Sequence, residues 1–518
     1  MNKMQSIPDF YEGKTLFVTG GTGFIGKVFL EKILRSCPKV KTIYCLVRPK
    51  RGRSVQERLE RLLDGKLFNV LREEQPEFHR KVHAIPGDIC EPELGISEED
   101  RTLIENNTDI VIHSAATIRF DEPLRIAIEM NVLGVRKMIK LAKKIKNLQV
   151  FVHVSTAYAN CDKQFIDEII YPPKVEPQRL LDAAEWMDDE MLDKVTPKLI
   201  GNMPNTYTYT KQLAETLLIQ EGQGLPLAIL RPSIVTAAWR EPLPGWIDNI
   251  NGPSGLYIAA GKGIMRTMYA DKEVVADLIP VDLPVNMLIS VAWYTAVAKP
   301  KEVLIYHATT GCLNPFTWGE MEDILMSYFY KMPYDGCFRR PNCTITTNSF
   351  LHDYWVLVSH LIPAYIADMG FMLIGKKPRM VQLYTKLHKA MGTLEYFTVR
   401  SWDWTHRNMD MLKSNMTEED IKKFYFDPRT MHWPSYIENY ALGTKKYILN
   451  EDISGIPAAK AHIRRLRNIR WMFNTVVLAV LWRVFIAKTN IAKNSWMLFM
   501  GMMYKFVQFF RLTSTISH

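Results

Sequence analysis

A chain of 518 residues, 47% hydrophobic and 23% charged, has room for two or three domains and a sizeable core. Its net charge of +10 belongs wholly to residues 460–518, which hold ten Lys and Arg and no acid, while the remainder balances 55 bases against 55 acids. No basic stripe is left for a phosphate backbone, so nucleic acid is excluded as a partner.

The first apolar run, TLFVTG (15–20), is short and leads straight into glycines, unlike a signal peptide. TGGTGFIGK (19–27) closes this strand and opens a helix over 28–34. Gly20, Gly23 and Gly26 have the G-x-x-G-x-x-G spacing, with Thr22, Phe24 and Ile25 between them. Glycines here let the backbone turn tightly, approach a pyrophosphate and pack helix on strand. The next strand, TIYCLV (42–47), ends without the acid that would bind the ribose of NAD. Arg48, Lys50 and Arg51 stand there instead and suit a 2′-phosphate, so the expected cofactor is NADPH. VHAIPG (82–87) is a third strand; Asp88 after it either meets the adenine or serves as an ordinary helix N-cap. DIVIHSAA (109–116) is a fourth, and its small Ala115 and Ala116 permit close passage of the cofactor.

A helix over 131–142 follows, then the strand QVFVHVSTA (149–157), which brings Ser155 and Thr156 to its ligand-side end. In NTYTYTKQL (205–213), Tyr207 and Lys211 lie four apart and share one helix face. A phenol ionises near pH 10, and a neighbouring ammonium is expected to lower that value. Such a pair is a general acid for a carbonyl oxygen, with a strand-end hydroxyl as second donor. Tyr209 is rotated about 200° from Lys211 and is expected to pack in the core. PLAILRPSIV (226–235) is a sixth strand. Strands alternating with helices predict an α/β fold with a doubly wound parallel sheet of Rossmann type.

Beyond residue 290 the alternation fades, and 350–450 reads as a mainly helical second domain rich in aromatic residues and Met. The apolar stretch 354–375 is interrupted by His360, Pro363 and Asp368, which favours a buried or membrane-facing helix pair over a span. In the tail, 471–487 carries one charge, Arg483, over 17 residues and follows Arg464, Arg465, Arg467 and Arg470. It is just long enough to span a bilayer with its basic flank on the cytosolic side. A second apolar stretch, 496–510, returns or lies in the interface, so the tail is expected to attach to a membrane. The divisions expected are 1–345, 346–455 and 460–518. Seven scattered cysteines without C-x-x-C spacing indicate free thiols in a reducing compartment, with no zinc site.

TGGTGFIGKV, HSAATIRFDEPL, MNVLGVRK, HVSTAYAN, the Tyr207/Lys211 motif, RPSIV and EPLPGWIDNINGPSG occur in an order that resembles the fatty acyl-CoA reductases, within the extended short-chain dehydrogenase/reductase superfamily. FRRPN, LHKAM, HWPSYIENY and GTKKY are similar to that family's second, sterility domain. A departure is Gly21, where the family's vertebrate members usually carry alanine. The resemblance implies that Gly20, Gly23 and Gly26 hold the cofactor, and that Tyr207 and Lys211 are catalytic. Ser155 or Thr156, with Thr156 slightly preferred, would be the third member. It further implies that a long-chain fatty acyl-CoA is reduced by two NADPH, through an aldehyde, to a primary alcohol. The family's animal members imply the peroxisomal membrane, with the catalytic part facing the cytosol. A membrane-bound steroid or sterol dehydrogenase of the same fold, and a non-catalytic NADPH-binding membrane protein, remain alternatives. Oligomeric state and chain-length preference are open.

Overall fold

Seven strands form one parallel sheet in this structure, a computed structural model that describes residues 4–49 and 52–514, and the side chains of these except 486–487, 491–492 and 509–514. They are β1 (Thr15–Thr19), β2 (Thr42–Val47), β3 (Val82–Pro86), β4 (Ile110–His113), β5 (Val150–Val154), β6 (Leu227–Pro232) and β7 (Leu304–Ala308). Their spatial order is β7-β6-β5-β4-β1-β2-β3. All six expected strands are present, and β7 is an addition: a short apolar run, LIYHA, that pairs with β6.

Side chains alternate along each strand and face opposite layers. Leu16, Val18, Ile112 and Val152 pack in one core with α1 (Phe24–Ser36) and, later in the chain, Asp282–Ala298. Phe17, Val111, Phe151 and Ile229 pack in the other with α2 (Gly134–Ala142) and α3 (Thr206–Glu221). The sheet is therefore covered on both faces, which is why its strands read as continuous apolar runs. The chain reverses direction across the sheet between β3 and β4, so β1 and β4 become neighbours with a crevice beyond their carboxyl ends.

The carboxyl-terminal part is mainly helical, with α4 (Ser349–Leu373), α5 (Met380–Thr398) and α6 (Trp433–Gly443). It shares a core with residues 237–345, in which Tyr257, Phe329 and Tyr334 meet Tyr436, Ile437 and Tyr440. Asp403 and Trp404 pair with Phe165 and Ile166, and the Asp420 carboxylate accepts the Ile7 amide at 3.3 Å. Near that contact Trp293 Nε1 donates to the Gln5 carbonyl and Tyr11 to that of Ile289, both at 2.9 Å.

Among the described residues α4 is the helix long and apolar enough to cross a membrane. It is not buried: His360, Ala364 and Asp368 face inward while Phe350, Ile366 and Leu373 are exposed. The tail forms two long helices, α7 (Ile456–Lys488) and α8 (Asn490–Ser514), with Trp482 against Trp496 at 5.8 Å. Ala459 is buried and His462 Nε2 bonds to the Cys337 carbonyl at 2.9 Å, whereas Trp471 to Phe485 are all exposed. The seven cysteines are free thiols, and Cys312 is the exposed one.

Candidate active site at the carboxyl ends of the strands

β1 ends in Thr19, and the turn after it is built so tightly that side chains are excluded. Gly20 has φ +74°, and a Cβ on it would lie 2.6 Å from the Ser114 carbonyl carbon. At Gly26 a Cβ would strike the Gly20 carbonyl and sit 2.7 Å from Gly21 Cα. The cradle is thus shaped by close backbone approach, as a pyrophosphate-binding turn requires. Gly23 caps α1, Thr22 and Ile25 are half-buried, and Phe24 stacks on Trp246 at 5.6 Å. Lys27 pairs with Asp248, tying the segment after β6 to the same turn. These residues fit a dinucleotide.

Arg48, just past β2, is half-exposed and forms an ion pair with Asp88 at 2.8 Å. Asp88 also accepts the Cys90 amide at 3.1 Å, a local turn contact of the kind an ordinary capping residue makes. The two residues expected at the adenosine end therefore meet each other. Lys50 lies outside the described residues. Ala115 and Ala116 are half-buried beyond β4, where the Ala115 amide donates to Thr19 Oγ1 at 3.3 Å.

Asn205 starts α3: its side chain accepts the Thr208 amide at 2.9 Å, an N-cap that fixes where the helix begins. Tyr207 and Lys211 consequently stand one turn apart at its amino-terminal end. Thr156, close enough to act on the Tyr207 phenol, has its Oγ1 3.4 Å from the Pro232 carbonyl and accepts the Tyr158 amide. Ser155 is buried beside it, and its hydroxyl has no hydrogen-bond partner among the described residues. Lys211 is buried and donates to the Val154 carbonyl at 2.9 Å. Burial lowers the ammonium to about 8, and Glu215 one turn on opposes the shift. Burial likewise pushes the Tyr207 phenol up to about 12, against the pull of the Thr156 hydrogen bond. The expected lowering by the ammonium is thus replaced by a rise, because loss of solvent around the phenol outweighs what favours its ionised form. Tyr209 lies in the core among Leu124, Ile128 and Leu213, as its position on the helix requires.

Beneath Lys211, His113 and His153 face each other across neighbouring strands, ring centres 5.3 Å apart. Burial, and then Lys211, brings His113 down to about 3, so it is neutral at working pH. Its Nδ1 is 2.7 Å from Thr19 Oγ1. Two further residues escaped the sequence reading. Asn131 sits in a widened turn, Glu129–Leu133, ahead of α2. Its amide accepts the Thr117 N–H at 3.0 Å and donates to the Thr117 carbonyl and to Thr210 Oγ1, joining the segment after β4 to α3. An amide amid the apolar spacing of MNVLGV was the available signal. Phe120 stacks on Tyr207 at 5.7 Å and meets Phe397 of α5 at 5.4 Å. Asp121 next to it pairs with Lys389 of α5 at 2.7 Å. The helical carboxyl-terminal part thus packs against the candidate site, a contact no local pattern announces. Among the described residues no His, Cys, Asp or Glu group is arranged to hold a metal ion.

Two family models, both described as male sterility protein, match the chain: an NAD-binding one over residues 18–288 and the Sterile one over 359–451. Fatty acyl-CoA reductase 1 of Homo sapiens is 53% identical over 515 residues, 99% of this chain and 100% of that protein. Fatty acyl-CoA reductase 2 of Bos taurus is 48% identical over 514 residues, with the same coverage. Among solved structures, the reductase domain of a nonribosomal peptide synthetase from Mycobacterium tuberculosis aligns with TM-score 0.55 at 17% identity, covering 87% of this chain and 94% of that one. The terminal R domain of the myxalamid pathway gives 0.53 at 20%, over 83% and 90%. Those two likenesses concern the fold alone. With full-length identity of this order, and with a glycine turn and a Tyr–Lys pair meeting at one crevice, the chain belongs to the fatty acyl-CoA reductases, NAD(P)-dependent oxidoreductases built on the short-chain dehydrogenase/reductase fold.

Proposed function

We propose that this enzyme reduces long-chain acyl-CoA to a primary alcohol, with two NADPH consumed and coenzyme A released. The observation that carries the reading is Tyr207 with Lys211 one turn behind it, the lysine bonded to the Val154 carbonyl at the strand end that carries Thr156, and the aromatic rings of Phe120 and Phe397 beside the phenol. A nicotinamide cofactor held at the glycine turn would supply the hydride for the carbonyl carbon. Tyr207 and Thr156 hold the carbonyl oxygen by two hydrogen bonds; in the thioester step they stabilise its negative charge while the thiolate leaves, and in the aldehyde step Tyr207 gives it a proton. Lys211, fixed to the Val154 carbonyl, keeps a positive charge near both. Ser155, with its free hydroxyl, is the alternative second donor. Phe120 and Phe397 shed water from the cleft and favour an aliphatic chain.

Gly20, Thr22, Gly23, Phe24, Ile25 and Gly26 would take the pyrophosphate, with Ala115, Ala116 and Lys211 toward the nicotinamide. NADPH is preferred over NADH because Arg48, with Lys50, replaces the acid expected after β2. Asp88 would serve the adenine by way of its pairing with Arg48. In the division of labour, 1–345 carries the reaction, 346–455 walls the substrate, and 460–518 attaches the enzyme to the peroxisomal membrane with the catalytic part in the cytosol. The exposed apolar surface of α7 beyond its arginines supports attachment.

NADPH consumption with palmitoyl-CoA tests the reading. Tyr207→Phe is expected to reduce it by roughly 10²–10⁴-fold, the worth of a positioned acid. Unchanged activity in that variant would refute the mechanism. Turnover of a steroid without turnover of acyl-CoA would refute the substrate class, and equal use of NADH would refute the cofactor preference.

A further inference from the structure

Between residues 349 and 374 the helix wears its polarity inside out. The inward positions are His360, Ala364 and Asp368, four residues apart and so on one face. The His360 Nε2 accepts the Arg266 amide at 3.0 Å, leaving Nδ1 to donate to His388 Nε2 at 2.9 Å. Asp368 accepts the amides of Arg379, Met380 and Val381 at 2.8–2.9 Å. The outward face is apolar: Phe350 is 82% exposed, Ile366 65% and Leu373 87%, with Leu357 and Met369 between. A helix facing water has the opposite arrangement.

Length alone would let α4 span, since 25 residues at 1.5 Å each reach about 37 Å. Its inward hydrogen bonds forbid that, because they stitch its middle and its end to the body of the enzyme. Such a helix can meet a bilayer only from the side, lying in the plane of one leaflet.

The charges beyond its carboxyl end are of one sign, while Asp353 near its amino end is exposed and acidic. Lys376, Lys377 and Arg379 follow its carboxyl end. Arg339 donates to the carbonyls of Ser359, Gly263 and Ile264, and Arg266 to that of Arg340. Among the described residues neither has a carboxylate within ion-pairing distance. Arg266 is lowered to about 10 by burial first, then by Arg339 and by Arg470 from the root of α7. Guanidinium groups crowded against each other without a counter-ion are complementary to an anionic surface.

We propose that α4 is a membrane contact separate from the tail: it lies in the headgroup region of an anionic leaflet, apolar face down, with the exposed Arg470 and Lys376–Lys377 toward lipid phosphates and the half-buried Arg266 and Arg339 adding positive potential behind them. This rests on the membrane attachment proposed above and extends it to the second domain. The consequence is directional. α5 begins at Met380, tethered to α4 by Asp368, and ends where Phe397 meets Phe120 over Tyr207. Its 19 residues form a strut of about 28 Å from the lipid surface to the reacting carbonyl.

The test uses the full chain on vesicles of phosphatidylcholine with and without phosphatidylserine, carrying a benzophenone amino acid at Ile366, at Leu478 of the tail, or at Trp186, which is exposed at the end of the helix Pro177–Trp186. Lipid cross-linking at Ile366 and not at Trp186 is expected, with a several-fold higher yield when phosphatidylserine is present. Lys376→Glu/Lys377→Glu should remove that gain. Cross-linking to lipid at Leu478 but not at Ile366 would overturn the proposal and leave the tail anchor standing. Lipid at Ile366 without lipid at Leu478 would uphold it and remove the anchor. No lipid at either site would end both, and a protein–protein adduct at Ile366 would make the face a self-association surface instead. Ile366→Glu, at an open position that folding does not use, should weaken vesicle binding several-fold while leaving turnover of a short, soluble acyl-CoA unchanged; binding equal to wild type would again overturn it.

Discussion

Lys211 is a buried cation above two neutral imidazoles, and its charge is met by the Val154 carbonyl and by Glu215 one turn on. That arrangement has a pH signature. With the ammonium at about 8, activity that depends on its charge should decline as pH rises through 8. Lys211→Arg should keep whatever activity it retains flat across that range, because arginine stays charged. Stability runs the other way. The unfolded ammonium ionises at 10.5, so the depressed native value destabilises the fold fully below pH 8 and is relieved as pH climbs toward 10.5. Replacing the residue by methionine should therefore raise the melting temperature at pH 7, by an amount reflecting roughly 3 kcal/mol, while abolishing reduction. A lower melting temperature in that variant would show that the Val154 bond outweighs burial. The spacing of Tyr207 and Lys211 is legible in the sequence, but the direction of their shifts is not: it comes from burial and from a strand carbonyl supplied by another element.

Capping decides where α3 begins and hence which tyrosine faces the crevice. Asn205→Ala should lower stability by about 1 kcal/mol in chemical denaturation and raise the KM of substrate by loosening Tyr207, with that of the cofactor unchanged. The strands are the most readable elements, because residues such as Phe17, Val111 and Phe151 are buried on a face where only apolar, β-branched or aromatic side chains fit. β7 hides for a physical reason: five residues between a charged loop and a helical region carry too short a pattern to stand out. α5 falls within the region legible as mainly helical but not as part of the site, since Phe397 reaches Phe120 only through tertiary packing. Phe397→Ala should cost about 3–5 kcal/mol of stability and lower kcat, with cofactor affinity retained, if α5 walls the reaction centre. Loss of cofactor affinity in equal measure would mean that the whole crevice had collapsed.

Across the whole molecule the two halves are interleaved more deeply than their composition suggests. Arg231 at the end of β6 is fully buried, paired with Glu215 at 2.6–2.8 Å and bonded to the carbonyls of Asp167 and Ile169. The guanidinium also lies 3.2 Å from His307 of β7, whose other ring nitrogen meets the Thr405 carbonyl. Glu215→Gln leaves that guanidinium uncompensated and should destabilise the enzyme by about 3–5 kcal/mol in urea titration, whereas a double exchange of both partners for apolar residues should recover much of the loss. The division into a reductase half and a helical half is visible in the sequence as a change of rhythm; the crossings at Asp403, Thr405 and Asp420 are not, because single contacts between remote residues leave no periodic trace.

The bond between the Ile7 amide and Asp420 joins residues 413 positions apart. During synthesis, at roughly 5–20 residues per second, the amino-terminal helix waits on the order of 20–80 s for its partner to emerge. Throughout that interval Ile7, Phe10 and Tyr11, all buried in the finished enzyme, lack the clasp that holds them. A ribosome-bound chain halted before Asp420 should thus be cleaved by protease near its amino terminus, and one released after completion should resist. The nucleotide-binding end, though made first, is sealed among the last.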